Sequence, residues 1–107
     1  MSLDPRLARL QVVIRERKGG DAGSSYVASL FTKGRAKIAQ KVGEEATETI
    51  IAALTGSAEE LTAEAADLLF HLMILLEDRG IDLDAVLTEL ERRDGVSGHA
   101  EKASRPS

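Results

Sequence analysis

Residues 64–76 of this chain read EAADLLFHLMILL, and this stretch decides the fold. Apart from His71, every residue from 68 to 76 is apolar, so a helix formed by these residues has no polar face for contact with solvent. Helices of that kind are buried against other helices. Aromatic residues make up only 3% of the chain, and a core of Leu, Ile, Val and Ala suits packed helices better than sheets. The sequence therefore predicts an all-α fold, an antiparallel helical bundle, in which this stretch is buried.

Capping residues and glycines mark the ends of this helix and of four others. Ser57, with Glu60 three residues later, has the spacing of a capping box and starts the helix that contains residues 64–76. The connection to the preceding helix is short, so the two long helices should lie antiparallel. Gly43 lies inside that preceding helix at a cost of about 1 kcal/mol relative to Ala, and we expect it to pack against a neighbouring backbone. The start and stop signals bound the five helices at residues 4–19, 25–34, 35–54, 58–79 and 82–95.

Length and composition limit the classes of function. The chain has 107 residues, a net charge of −4 and no cysteine. The acidic balance argues against a nucleic-acid partner, and the lack of thiols excludes disulfide and thiolate chemistry. No apolar run reaches the length of a membrane span and no signal peptide is visible, so we expect a cytoplasmic protein with no membrane partner. Residues 1–107 should form one domain with an aperiodic tail over residues 96–107, and so short a chain gains stability from helices shared in an oligomer.

Two acidic clusters lie on the two long helices. Glu45 and Glu48 form one pair, and Glu64 and Asp67 form the other. In each pair the i, i+3 spacing places both carboxylates on one helix face, and on antiparallel neighbours the two pairs can converge. Glu45 stands one heptad after Ile38, so the first pair borders the apolar side of its helix. Glu64 and Asp67 likewise point to the same side of their helix as apolar residues further along it.

Carboxylates on an apolar face need a counter-charge, because burying them unpaired is costly. Lys41, one turn before Glu45, is one candidate, and a divalent cation is the simpler one. A carboxylate ligand set without His or Cys favours a hard ion, Mg²⁺ or Mn²⁺. Such an ion can polarise a phosphoryl group and orient water, which indicates phosphoanhydride cleavage, and the lack of a Gly-rich Walker loop excludes a P-loop NTPase. A solvated acidic face and a Lys–Glu network stay open as alternatives.

The clusters read Glu44-Glu45-x-x-Glu48 and Glu64-x-x-Asp67, and they resemble the paired motifs of the all-α, MazG-like nucleoside-triphosphate pyrophosphatase superfamily. Residues 25–34, 38–48, 64–72 and the tail residues 97–105 are further similar to the phosphoribosyl-ATP pyrophosphatase family. The resemblance covers nearly the whole chain. It implies a MazG-like helical bundle that is completed by homodimerisation.

The same resemblance implies an activity and a set of site residues. The activity is hydrolysis of phosphoribosyl-ATP to phosphoribosyl-AMP and pyrophosphate, the second step of L-histidine biosynthesis, with Mg²⁺ as cofactor. The implied metal ligands are Glu45, Glu48, Glu64 and Asp67. The implied catalytic residues are Glu44, Glu45 and Glu48, where Glu44 is an outer ligand or the base that orients the water.

Basic side chains must meet the phosphates of such a substrate. Lys37 and Lys41 precede the acidic motif on the same helix, and Lys102 and Arg105 lie in the tail that resembles the family. We therefore expect these four residues to bind substrate. His71 lies among apolar residues, so a core histidine bonded to Asp67 is favoured over a metal ligand.

Two other functions compete with this interpretation. A MazG-like house-cleaning pyrophosphatase that acts on free nucleotides would need the same carboxylates, and the residues at 101–105 argue against it. A helical dimerisation module without activity would carry the acidic residues only as solvated charge. That second alternative leaves the carboxylates on apolar faces unexplained.

Overall fold

The computed structural model describes residues 3–94, and these fold into five helices with no strand among them. The predicted all-α class is confirmed. The predicted tail, with Lys102 and Arg105, lies outside the described residues. No helix in the described part of the chain is long and apolar enough to cross a membrane. The helices are α1 (Pro5–Arg17), α2 (Tyr26–Lys33), α3 (Arg35–Thr55), α4 (Ala58–Asp78) and α5 (Leu83–Arg93).

Four of the five helices begin at a side-chain cap that the sequence predicts. In each case an oxygen of the capping residue accepts a hydrogen bond from a backbone N–H in the first turn, which satisfies a donor that the helix leaves unpaired. The exception is α3, which follows Gly34 directly; this residue has a φ of +99°, a conformation that glycine adopts without strain. The caps are Asp4 (to Arg6, 2.7 Å), Ser25 (to Ala28, 3.2 Å), Ser57 (to Glu60, 3.1 Å) and Asp82 (to Asp84, 2.9 Å).

The two long helices form an antiparallel hairpin, as predicted. At its open end Arg35 Nε of α3 donates to Asp78 Oδ2 of α4 at 2.6 Å. Nearer the closed end, six residues from the end of each helix, Thr49 Oγ1 donates to the backbone oxygen of Glu64 at 3.2 Å. Only Gly56 and Ser57 separate the helices at the closed end. This hairpin carries both acidic clusters, so its register sets their separation.

The hydrophobic core draws on each of the first four helices. Ile14 of α1, Leu30 of α2, Ile38 of α3 and Ile74 of α4 are fully buried, and Leu83 extends the core to α5. The helices α1 and α2 thereby cover one side of the hairpin.

The opposite side of the hairpin is uncovered, and here two expectations were wrong for the single chain. Residues 68–76 are not buried all round, because Leu69 and Leu72 are exposed together with Ile50 and Leu54 of α3. A Cβ built on Gly43 meets nothing within 4 Å, so this glycine does not pack against a neighbouring backbone. In a helix, residues two apart point about 200° away from each other, so Ile50 and Leu69 face away from Glu48 and Asp67.

Candidate active site

Three carboxylates converge at the middle of the hairpin. Glu45 and Glu48 of α3 and Glu64 of α4 each offer one oxygen, and these oxygens lie within 4.8 Å of one another. Thr49 ties the two helices at this level, since its hydroxyl lies 2.8 Å from the backbone oxygen of Glu45 and 3.2 Å from that of Glu64. Three of the four residues predicted as metal ligands are therefore brought together.

The burial of this cluster leaves carboxylate oxygens without partners. Only 7% of Glu45 is exposed, and Glu64 is half-buried. Oε2 of Glu45 and Oε2 of Glu64 are both buried and accept no hydrogen bond. Leaving such an atom unsatisfied costs about 1–3 kcal/mol, and more when the group is charged. Lys41 contacts only the other oxygen of Glu45, so no hydrogen-bond donor reaches these two atoms, and oxygen donors of this kind suit a hard divalent cation.

Asp67 stands apart from this group. It lies one turn after Glu64 on the same side of α4, but its side chain is exposed and does not join the oxygens that lie within 4.8 Å. Its backbone oxygen accepts a hydrogen bond from His71. The fourth predicted ligand is thus adjacent to the cluster and separate from it.

Lys41 and Glu44 form the edge of the site. Lys41 Nζ lies 3.2 Å from Glu44 Oε2 and 3.6 Å from Glu45 Oε1, so the Lys–Glu network that the sequence left open does exist. It engages only one oxygen of Glu45. Hydrogen bonds from Gln40 and then from Lys41 lower the pKa of Glu44, and the bond to Glu44 raises the pKa of Lys41. Glu44 is therefore held ionised and Lys41 is held charged.

Lys37 lies one turn before Lys41 and one heptad before Glu44. Its positive charge contributes to the lowered pKa of Glu44, which places it within electrostatic reach of the site. Arg35, the first residue of α3, is engaged at the far end of the hairpin by Asp78. Lys37 and Lys41 are thus positioned near the acidic cluster, whereas Arg35 is engaged away from it.

Tyr26 was missed by the sequence analysis. Its hydroxyl lies 2.7 Å from Nε2 of His71, a residue that is only 5% exposed, and His71 Nδ1 lies 2.7 Å from the backbone oxygen of Asp67. His71 is thus a core residue bonded to Asp67, as predicted, although the bond is to the backbone. Burial raises the pKa of Tyr26, and the charges of Lys41 and Glu45 also act on its hydroxyl. The sequence feature that could have identified Tyr26 as a site residue is its position as the single tyrosine, at the start of a helix, in a chain with few aromatic residues.

An open cavity of about 290 Å³ extends from the carboxylates toward the closed end of the hairpin. Glu48 and Glu64 form its wall on the side of the cluster, and both apolar and polar side chains of the two helices form the remainder. Space for a ligand therefore exists directly beside the three carboxylates. The other lining residues are Ile51, Ala52, Thr55, Glu60 and Ala63.

The sequence as a whole is similar to known proteins. Residues 7–94 match the family described as phosphoribosyl-ATP pyrophosphohydrolase. Three relatives carry the name phosphoribosyl-ATP pyrophosphatase. The one from Erythrobacter litoralis is 62% identical over 99 residues, which cover 92% of this chain and 95% of the relative. The one from Novosphingobium aromaticivorans is 63% identical and covers 92% of each chain, and the one from Zymomonas mobilis is 59% identical and covers 94% of each.

Proposed function

This chain belongs to the phosphoribosyl-ATP pyrophosphohydrolase family, and we propose that Glu45, Glu48, Glu64 and Asp67 hold the divalent cation with which it hydrolyses phosphoribosyl-ATP. The products are phosphoribosyl-AMP and pyrophosphate, and the reaction is the second step of L-histidine biosynthesis. The chain is therefore a hydrolase that acts on a phosphoanhydride bond.

The observation that carries the metal proposal is the pair of buried oxygens without partners, Oε2 of Glu45 and Oε2 of Glu64. When bound, Mg²⁺ or Mn²⁺ would supply Lewis acidity toward phosphoryl oxygens and would orient water and the leaving pyrophosphate. Glu48 is exposed at the mouth of the cavity and would complete the ligand set from α3. Asp67 of α4 would become the fourth ligand if its exposed side chain adopted a rotamer that points toward the other three carboxylates.

Glu44 is better suited to orient water than to remove its proton. Oε1 of Glu44 accepts a hydrogen bond from Gln40 at 2.9 Å and Oε2 lies 3.2 Å from Nζ of Lys41, so both oxygens are already engaged by donors that favour the ionised carboxylate. Its ionised oxygens can still accept a hydrogen bond from a water that is directed at the substrate. We therefore propose Glu44 as a positioning residue at the edge of the metal site, which is one of the two roles that the sequence left open.

Lys41 and Lys37 are proposed to bind the anionic oxygens of the substrate. Lys41 already lies in the acidic cluster, and Lys37 is one turn away along α3. A triphosphate would otherwise meet only carboxylates here, so two ammonium groups at the edge reduce the repulsion. The roles of Lys102 and Arg105 and the single-domain extent of residues 1–107 stay predictions, and so does the cytoplasmic location.

We also propose that the protein is a homodimer. The uncovered side of the hairpin presents four large aliphatic side chains, and Leu54 is 80% exposed. Apolar surface of this kind is typical of an interface. A second copy of the hairpin would bury it, and the small residue Gly43 on the same side of α3 would permit close approach of the helices. The four side chains are those of Ile50, Leu54, Leu69 and Leu72.

The experiment that tests the function measures pyrophosphate release from phosphoribosyl-ATP with Mg²⁺, with Mn²⁺ and with EDTA, and compares ATP and dUTP as substrates. Glu48→Gln changes an exposed ligand without a change of size and should abolish metal-dependent release. Glu59→Gln, an exposed residue in the first turn of α4, is the matched control and should leave it unchanged. Preference for a free nucleotide would favour the house-cleaning alternative, and full activity of Glu48→Gln would contradict the metal site.

A further inference from the structure

The hydrogen bonds of His71 determine what the hydroxyl of Tyr26 is able to do. The backbone oxygen of Asp67 can only accept, so Nδ1 of His71 donates to it. In the neutral ring Nε2 then carries the lone pair, and the Tyr26 hydroxyl must donate to it at 2.7 Å. The phenol proton is thereby committed to His71. Tyr26 consequently has no proton to offer to a phosphate oxygen, and its hydroxyl can only accept.

The ring of Tyr26 is held in place although it is not part of the hydrophobic core. Half of the residue is exposed, and it is absent from the cluster of core side chains. The Tyr26 and His71 rings meet at 81° with centroids 5.7 Å apart, so His71 does not stack on the face of Tyr26. The hydrogen bond joins the hydroxyl to a side chain that is almost fully buried. The ring is thus fixed in orientation by its hydroxyl, and half of the residue stays exposed.

This ring lies at the acidic site and not on the uncovered side of the hairpin. The Tyr26 hydroxyl is linked through His71 to the backbone oxygen of Asp67, with 2.7 Å at each of the two contacts, and the charges of Lys41 and Glu45 also act on it. Leu69, on the uncovered side, precedes His71 by two residues and points in nearly the opposite direction on α4. A second copy that covers Leu69 would leave Tyr26 accessible.

From these observations we propose that Tyr26 is a specificity-determining residue whose ring stacks on the adenine base of the substrate. The proposal rests on the function above, which supplies an adenine nucleotide. A base is favoured over a phosphate because the phenol proton is already used and because the neighbouring charges are mostly carboxylates. A fixed aromatic face is the feature that recognises a planar base, with a stabilisation that does not depend on hydrogen-bond donors.

Two variants of Tyr26 distinguish stacking of the ring on the base from the hydrogen bond that tethers the hydroxyl to His71. Tyr26→Leu removes the aromatic face and should raise KM for phosphoribosyl-ATP about 10-fold, which corresponds to about 1.4 kcal/mol, with kcat changed much less. Tyr26→Phe keeps the face and loses the tether, so its KM should rise less, about twofold, while its Tm falls because Nε2 of His71 loses its partner. Val12→Ala, which removes an exposed apolar side chain from α1, should behave as the parent protein.

A second measurement needs no turnover. The chain has one tyrosine and no tryptophan, so its intrinsic fluorescence reports on Tyr26 alone. Titration with the product phosphoribosyl-AMP should quench this fluorescence, after correction for absorption by the base, and ribose 5-phosphate should not. No quenching at saturating phosphoribosyl-AMP would overturn the proposal even if Tyr26→Leu failed to fold.

The kinetic outcomes are also decisive. Equal KM values for the Phe and Leu variants would assign the effect to the hydrogen bond and overturn stacking. An unaltered KM in Tyr26→Leu would place the base elsewhere, for example in the cavity beside Ile51. Loss of Mn²⁺ binding in Tyr26→Leu, measured by electron paramagnetic resonance, would assign Tyr26 to the support of Asp67. In each of these cases the parent protein still releases pyrophosphate from phosphoribosyl-ATP, whereas failure of the proposed function removes that release.

Discussion

Glu45→Gln should stabilise the metal-free protein and remove its response to a divalent cation. The oxygens of Glu45 and Glu64 lie within 4.8 Å of each other, and at an effective dielectric constant of about 20 two unit charges at that distance repel by about 3 kcal/mol. The substitution also removes the contact of Glu45 with Lys41, a partly exposed pair that contributes at most about 1 kcal/mol. The net expectation is a gain of about 1–2 kcal/mol in the free energy of unfolding without metal.

Thermal unfolding followed by circular dichroism at one protein concentration provides the assay. For a domain of this size each kcal/mol corresponds to about 4–8 °C in Tm, so in EDTA the variant should melt about 5–10 °C above the parent protein. At a metal concentration of about 100 times its Kd, the parent gains about 2.7 kcal/mol by linkage and the order of the two Tm values reverses. A lower Tm for Glu45→Gln in EDTA, or an equal response of both proteins to Mg²⁺, would refute the reasoning.

Three further predictions address the helix ends and the uncovered surface. Ser57→Ala removes the cap of α4 and should lower the unfolding free energy in urea by about 1 kcal/mol without loss of activity. Leu54→Asp should yield a monomer in sedimentation analysis, whereas an unchanged mass would exclude this surface as the dimer interface. Bonds from Arg92 and Arg93 lower the pKa of Glu89 to about 2, below the ordinary 4.5, so the stabilisation that Glu89 provides is present above pH 4.5 and lost as the pH falls toward 2. The Tm deficit of Glu89→Gln should therefore be present at pH 7 and disappear near pH 2.

Much of the fold could be predicted because its signals are local. The caps at Ser25, Ser57 and Asp82 each act on a backbone N–H within three residues, so they can be identified without any knowledge of tertiary structure. The heptad from Ile38 to Glu45 likewise predicted the burial of Glu45, because both residues use the same face of α3. The antiparallel hairpin follows from a connection too short for any other arrangement.

The remaining features depend on contacts that periodicity does not contain. Tyr26 and His71 are 45 residues apart, and nothing in the spacing of either residue predicts their hydrogen bond. Residues 68–76 are apolar on every side of α4, but a single chain supplies neighbours for only part of that surface. Asp67 has the i, i+3 spacing of a ligand, yet its distance from Glu45 depends on how α3 and α4 approach each other, which the sequence does not state.

The three converging carboxylates have a consequence for the order of folding. All of them lie on one hairpin whose helices are joined by only two residues, so the ligand set assembles from contacts that are short in sequence. Contacts of this kind form early and quickly, because little loop entropy is lost when they close. The repulsion among the carboxylates therefore opposes the pairing of the two hairpin helices with each other. A divalent cation present during refolding would relieve that repulsion and would act on the folding rate as well as on the stability of the finished protein.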